Sequence, residues 1–176
     1  MRQFVLLVCV GANAGCLAAD HWGLPREPLS VRSPAHGLTA YVHNHPNIDP
    51  PAQSIGLRDA EGRETDILRL GPDSDWCDTA VWSADSSTVG FLVQNARLVL
   101  VDARSASVTS QVWLVPQDGY PTTRVATDLQ LSADGRSVAF RSCQRSKQVE
   151  ANRYELGPCS DLETRASSSA PPTARD

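Results

Sequence analysis

LQLSADGRSVAFRSC, residues 129–143, decides the fold, because two other stretches of the chain repeat its pattern. The other copies are AVWSADSSTVGFLVQ at residues 80–94 and LSVRSPAHGLTAYVH at residues 29–43. Their reference serines are spaced 50 and 49 residues apart and are Ser33, Ser83 and Ser132. An aromatic residue follows each serine by eight positions, and the three aromatics are Tyr41, Phe91 and Phe140. Self-similarity at a fixed period indicates a repeat architecture in which each copy is one structural unit.

Each unit predicts four short strands joined by turns. The reference serine ends the first strand, and a polar step that contains Asp85 or Asp134-Gly135 reverses the chain. Asp suits this step because it bonds the backbone that follows it, and Gly because it accepts a positive φ. The second strand runs through the aromatic residue. Third strands are predicted at residues 54–58, 97–101 and 153–156, and fourth strands at residues 65–70 and 111–115. Four short strands in every 50 residues indicate a propeller-type blade.

The Ser-Ala-Asp-Gly step before an apolar and aromatic strand resembles the TolB-type, or WD-like, β-propeller blade of bacterial envelope proteins. The third copy carries the whole step, the second has Ser86 in place of glycine, and the first has Ala35-His36-Gly37 after its Ser33-Pro34. The resemblance implies an all-β fold with three four-stranded antiparallel blades in a domain at residues 29–165. The blades are expected at about residues 29–72, 78–116 and 127–160. It also implies interaction with other envelope proteins.

The number of repeats is small for this fold. Propeller rings have about four to eight blades, and this chain supplies three. The third unit also has no clear fourth strand, because the Ser/Ala/Pro-rich run from Ser160 onward predicts disorder, with residues 166–176 as a tail. Three arrangements stay open: an open or partial propeller, a dimer that completes a six-blade ring, and a truncated relative of a larger propeller. Unpaired strand edges need covering, so we expect a homo-oligomer formed through the open blade edges.

The N-terminus has the pattern of an export signal. Arg2 precedes the apolar residues 4–10 and the small residues 12–19, and this order is typical of a secretory signal peptide at residues 1–19. Ala14-Gly15-Cys16 resembles a bacterial lipobox, although Asn13 stands where an aliphatic residue is usual. Cleavage before Cys16 with lipidation of that residue therefore competes with cleavage after Ala14 or Ala19. We expect a periplasmic or outer-membrane protein, with residues 20–28 as a linker or as an added outer strand of the last blade.

The three remaining cysteines offer a disulfide, which an oxidising compartment permits. Cys143 and Cys159 are closest in sequence. The repeat alignment instead places these two residues at opposite edges of a blade and brings Cys77 to the edge that holds Cys143. Both pairings therefore stay open.

Two polar clusters are candidates for metal sites. His43 and His45 share a face if they lie on a strand, with Asp49 nearby, but the surrounding Pro and Asn residues favour a polar loop. The acidic cluster Asp73, Asp75 and Asp78 lacks the Gly and Glu of an EF-hand loop and favours a solvated turn. We assign no metal and no cofactor.

The overall composition narrows the function. The net charge of −4 comes without a basic stripe, so nucleic acid is not expected as a partner. The chain contains no Gly-x-Ser-x-Gly, Ser-x-x-Lys or His-Glu-x-x-His motif and no Gly-rich phosphate loop. The sequence therefore predicts a non-catalytic module that binds proteins or a ligand and contacts membranes only through a lipid anchor. The alternative is a hydrolase or lyase, or an accessory domain of such an enzyme.

Cys16→Ser tests the lipobox interpretation. In cells that carry out lipoprotein processing, we expect the wild-type chain to incorporate labelled palmitate and the variant to lose the label, because the Cys16 thiol is the acceptor. An unlabelled wild-type chain would instead assign cleavage to Ala14 or Ala19.

Overall fold

In the computed structural model, strands and turns account for the described residues, which are 29–45, 52–71, 76–116, 123–150 and 153–167. The strands form three antiparallel sheets, which we call blades 1, 2 and 3. The expectation of an all-β fold with three four-stranded sheets is confirmed. No helix in this part of the chain has the length and apolar character of a membrane span.

Blades 1 and 2 have the same simple topology, in which each strand pairs with the next. The strands of blade 1 are β1 Ser30–Arg32, β2 Thr39–His45, β3 Ala52–Arg58 and β4 Glu64–Arg69. The strands of blade 2 are β5 Cys77–Trp82, β6 Thr88–Val93, β7 Arg97–Asp102 and β8 Ser107–Trp113. The predicted start of β8 at residue 111 is wrong by four residues. The strand begins earlier than predicted because Ala106 takes a positive φ of 49° and completes the turn just before Ser107.

Blade 3 arranges its four strands in three rows. They are β9 Arg124–Leu131, β10 Ser137–Glu150, β11 Arg153–Cys159 and β12 Glu163–Ala166. Strand β9 pairs with one side of β10, while β11 and β12 pair with two successive parts of its other side. The predicted disorder from Ser160 onward is wrong for Glu163–Ala166. That segment is too polar to be recognised as a strand, and it is held by pairing with β10.

Strand β2 is longer than the sequence predicted. It continues to His45 and pairs residue by residue with β3 as far as Ala52. The loop interpretation of His43 and His45 is therefore wrong, because cross-strand hydrogen bonding outweighs the low strand propensity of the Asn and Pro residues around them. Asp49 lies outside the described residues.

Blade 2 is buried on both faces, and this determines the order of the array. Alternate residues of β6 and β7 pack against blade 1, among them Val89, Phe91, Val99 and Val101. The residues between them pack against blade 3, among them Leu92, Leu98 and Leu100. Because side chains alternate between the two faces of a strand, an almost continuous apolar run is what a sheet with two buried faces requires.

The turns after the reference serines also hold neighbouring blades together. The N–H of Ala35 in blade 1 donates to Ser86 Oγ in blade 2 at 2.9 Å. The N–H of Asp85 donates to the carbonyl of Ala133 in blade 3 at 3.2 Å. Gly135 lies directly against Thr88, so that a Cβ at this position would overlap the threonine side chain.

Replacing Gly135 by Ala tests this contact against a matched control. Gly135 and Gly62 both have positive φ, 68° and 84°, but nothing lies within 4 Å of a Cβ at Gly62. We expect Gly62→Ala to lower the free energy of unfolding by about 1 kcal/mol, through backbone strain alone. Gly135→Ala should lower it by about 2–3 kcal/mol, because the overlap with Thr88 adds to that strain. Urea unfolding measures both, and equal losses would contradict the turn-to-turn contact.

Candidate interaction surfaces

The reference serine and aspartate of the repeat close the same hydrogen-bond network in two blades. In blade 3, Ser132 Oγ donates to Asp134 Oδ1 at 2.8 Å and accepts the N–H of Ser137 at 2.9 Å. Asp134 Oδ1 also accepts the N–H of Arg136 at 3.0 Å. Blade 2 repeats the network with Ser83, Asp85, Ser87 and Thr88. These signature residues therefore stabilise a turn.

The electrostatics of these turns agree with a structural role. The N–H of Ser87 and the hydroxyl of Ser83 hold the pKa of the Asp85 carboxyl below its ordinary value. The N–H of Arg136, followed by the Ser132 hydroxyl, does the same for the pKa of Asp134. In blade 1 Ala35 stands at the aspartate position, and there Ser33 Oγ accepts only the N–H of His36, at 3.3 Å. Both carboxylates are stabilised in the charged form that accepts hydrogen bonds.

The aromatic position of the repeat faces the preceding blade. Phe91 packs towards blade 1 and Phe140 towards blade 2, and both are fully buried. Tyr41 occupies the same position in blade 1 and points to the face opposite blade 2, since its neighbours Ala40 and Val42 take the face that packs on blade 2. A tyrosine at this outward face keeps the apolar ring of the repeat and adds a hydroxyl.

A polar network covers Tyr41 on the outward face of blade 1. The Tyr41 hydroxyl donates to Asp66 Oδ1 at 2.7 Å, and the ring lies over Gly56, where a larger residue would collide with it. The Arg58 guanidinium lies 5.6 Å from the ring centroid and donates through Nε to Glu64 at 2.9 Å. Burial, followed by the hydrogen bond to Asp66, raises the pKa of Tyr41 above its ordinary value.

The outward face of blade 3 is also polar at positions that are apolar in the other blades. Arg141 stands nine residues after the reference serine, where blades 1 and 2 have Val42 and Leu92. The Arg141 side chain is 44% exposed, and its Nε lies 3.4 Å from Asp128 Oδ2. Thr164 is exposed and pairs with Ala139 in the register that Leu100 occupies in blade 2. Polar side chains of this kind suit a face that contacts water.

The outermost row of blade 3 is formed by β11, the bend at residues 160–162 and β12, and we call it the β11–β12 edge. No fourth strand pairs with this row within the described residues, whereas β4 and β8 cover the third strands of blades 1 and 2. Two large hydrophobic residues are exposed on this row: Leu156 on β11 is 53% exposed and Leu162 in the bend is 49% exposed. Exposed strand edges with apolar side chains are sites of strand pairing.

The disulfide joins Cys143 to Cys159 and supports this edge. The argument that placed these residues at opposite edges is wrong, because β10 runs seven residues beyond Cys143 to Glu150 before the chain returns. Cys159 therefore pairs with Cys143 across β10 and β11. Cys77 is buried in blade 2, where its N–H donates to Gln53 Oε1 of blade 1 at 2.7 Å.

The outward face of blade 1 also carries the two histidines of β2. The rings of His43 and His45 stack with their centroids 4.7 Å apart and their planes 29° apart. His45 Nε2 lies 3.0 Å from Ser54 Oγ on β3. This distance is within the reach of a nucleophile and its base, but Ser54 is only 2% exposed and its Oγ is inaccessible to a substrate carbonyl.

Some of the predicted site residues fall where the structure is not described. Cys16, Asp73 and Asp75 lie outside the described residues, as does the side chain of Asp78. Within the described part of the chain, no three His, Cys, Asp or Glu side chains form a group that holds a metal ion.

No protein-family profile and no curated protein matches the chain. Solved structures do match, and their similarity to this chain concerns the fold alone. One is the β-propeller domain of Cps50 (Swd1) from Myceliophteria thermophila, with 15% identity, a TM-score of 0.35, and coverage of 68% of this chain and 40% of that chain. Another is oligogalacturonate lyase from Vibrio parahaemolyticus, with 10% identity, a TM-score of 0.38, and coverage of 67% and 31%. A third is oligogalacturonate lyase in complex with manganese, with 11% identity, a TM-score of 0.35, and coverage of 68% and 36%.

The chain therefore spans less than half the length of these propellers. Three stacked four-stranded sheets with repeated turns place it in the class of propeller-type repeat proteins, as a partial propeller.

The disulfide is tested by peptide mapping and by reduction. Without reductant, we expect one linked peptide pair that contains Cys143 and Cys159, with Cys77 alkylated only after unfolding because it is buried. The replacement of Cys143 and Cys159 by Ser should lower the free energy of unfolding by about 3 kcal/mol, the cost of releasing a loop of this size. A linked Cys77 peptide would contradict the register of β10 and β11.

Proposed function

We propose that the chain is an exported, non-catalytic binding module that holds another envelope protein at the β11–β12 edge. The observation that carries the proposal is the position of Leu156 and Leu162 on a strand row that no further strand covers within the described residues. An extended segment of a partner added there would bond to the backbone of the row and cover both leucines. Such a partner would lie in the periplasm or at the outer membrane, because residues 1–19 are predicted to be an export signal.

The other surfaces are less suited to binding through apolar contact. The outward face of blade 1 fills its hydrogen bonds internally, through Tyr41, Asp66, Arg58 and Glu64. The outward face of blade 3 presents an ion pair between Arg141 and Asp128. Interfaces commonly combine an apolar centre with a polar rim, and the β11–β12 edge beside that ion pair offers both.

The same reasoning bears on self-association. Ring closure through the blades would bury the outward faces. Removing the Arg141–Asp128 and Arg58–Glu64 ion pairs from water is unfavourable, because the desolvation cost of buried charges can exceed their mutual attraction. The polar faces therefore support the open array over the six-blade ring, and a second copy remains a candidate only at the β11–β12 edge. The hydrolase or lyase alternative gains no support from the His45–Ser54 pair, because Ser54 is buried.

Lysine substitutions at the edge test this proposal. We expect the wild-type chain, cross-linked in envelope extract, to capture a specific protein. The double variant Leu156→Lys/Leu162→Lys should lose that protein, because lysine on an edge strand opposes strand addition. Thr65→Lys on β4, an exposed position on the outer strand of blade 1, is the matched control and should retain it.

Light scattering separates the two kinds of partner. A monomeric wild-type chain that still captures a protein assigns the edge to a different protein. A dimer that dissociates in the double variant assigns it to a second copy of the chain. Equal capture by the wild-type chain, the double variant and the control would contradict a role for the edge.

A further inference from the structure

We propose that His43 and His45 form a two-imidazole chelate for a late first-row divalent cation, with Cu²⁺ bound more tightly than Zn²⁺. The site lies on the outward face of blade 1, at the opposite end of the array from the β11–β12 edge, and does not depend on the function proposed for that edge. The inference rests on three observations: two histidines share one face of a strand, a buried hydroxyl lies beside one of them, and their rings are close together.

The strand places both imidazoles on the same side of a sheet. His43 and His45 are two residues apart on β2, and side chains at such positions point to the same face. Both are accessible, since His43 is exposed and His45 is half-buried. The backbone below the rings is fixed because His43 pairs with Ser54 and His45 pairs with Ala52. Both ligands are therefore attached to a rigid strand.

The distance between the two rings is close to that of two imidazoles bound to one ion. A metal about 2.0 Å from a ring nitrogen lies about 3.1 Å from that ring's centroid, so two imidazoles bound at a right angle have centroids about 4.4 Å apart. The observed separation is 4.7 Å, and because the rings stack with their planes 29° apart, each ring must turn about its side-chain bonds to direct a nitrogen at the ion. Water completes the coordination, as it does at open metal sites.

Ser54 acts as the positioning residue. Its hydroxyl is 2% exposed and lies 3.0 Å from His45 Nε2. When Nε2 donates its hydrogen to Ser54 Oγ, the lone pair on Nδ1 of His45 is available to the metal. Histidine ligands typically donate their second ring N–H to such a partner, and loss of that partner weakens binding.

The identity of the cation follows from the ligand type. Imidazole nitrogen suits Zn²⁺, Ni²⁺ and Cu²⁺, and affinity in this series is highest for Cu²⁺. Calcium and magnesium prefer oxygen ligands and are not candidates. Arg69 stands in register beside Ser54 on β4, so the cation belongs on the histidine side of Ser54, away from that positive charge.

Titration of the exported chain with Cu²⁺ and with Zn²⁺ tests the site. Every version carries His21→Ala, so that the histidine of the N-terminal segment does not contribute. We expect His43→Asn and His45→Asn each to weaken Cu²⁺ binding by about tenfold or more, because one of two ligands is lost. Ser54→Ala should weaken it by about tenfold while both ligands stay bound. His36→Asn, on the turn of blade 1, is the matched control and should bind like the parent.

Paramagnetic resonance of the Cu²⁺ complex supplies a second readout. The parent, the His36→Asn control and Ser54→Ala should each show two imidazole nitrogens, while His43→Asn and His45→Asn should each show one. An unchanged urea midpoint confirms that each variant is folded. Equal affinity in the His43, His45 and His36 variants, or a single imidazole in the parent spectrum, would overturn the proposal.

Discussion

Burial of both faces of the β6–β7 pair is the constraint on which the rest of the structure depends. Phe91 and Val99 are buried against blade 1, and Leu92 and Leu98 against blade 3, so neither interface forms without blade 2. Each fully buried apolar side chain of this size contributes about 1.5–3 kcal/mol relative to an exposed one. Blade 2 therefore organises the array, while each outer blade needs one apolar face only. The turn contacts at Ser86 and Gly135 fix how the blades approach each other along one rim.

Within the described residues, blades 1 and 3 each pack against blade 2 through one face, and their other faces carry polar residues. Tyr41 keeps the ring of the aromatic position and bonds its hydroxyl to Asp66, while Arg141 replaces the aliphatic residue that blades 1 and 2 bury. No further blade covers these two faces in the described part of the chain, and polar residues make them compatible with water. The β11–β12 edge is a separate feature, where the exposed Leu156 and Leu162 give binding an apolar contribution that the faces do not have.

The repeat could be predicted from the sequence because its signals are local. Ser132, Asp134 and Gly135 form a turn among themselves, and Phe140 follows at a fixed distance, so one stretch contains the whole pattern. The remaining features depend on distant contacts. Strand β12 has no apolar pattern, and it is held by pairing with β10 and by the Arg165 guanidinium, which donates to the Trp113 carbonyl at 2.6 Å. The pairing of Cys143 with Cys159 depends on the length of β10. His43 and His45 share a face because β2 continues as far as His45. The residues around these two features are typical of turns and loops, so neither the disulfide pairing nor the length of β2 could be predicted from the sequence.

Hydrogen–deuterium exchange measures the central claim most directly, because it reports the stability of each strand separately. If blade 2 organises the array, amides in β6 Thr88–Val93 and β7 Arg97–Asp102 exchange most slowly, and those of blades 1 and 3 exchange faster through local opening of an outer blade. Faster exchange in β6 and β7 than in β2–β3 or β9–β10 would contradict the account, since it would show that the outer blades are stable without the middle one.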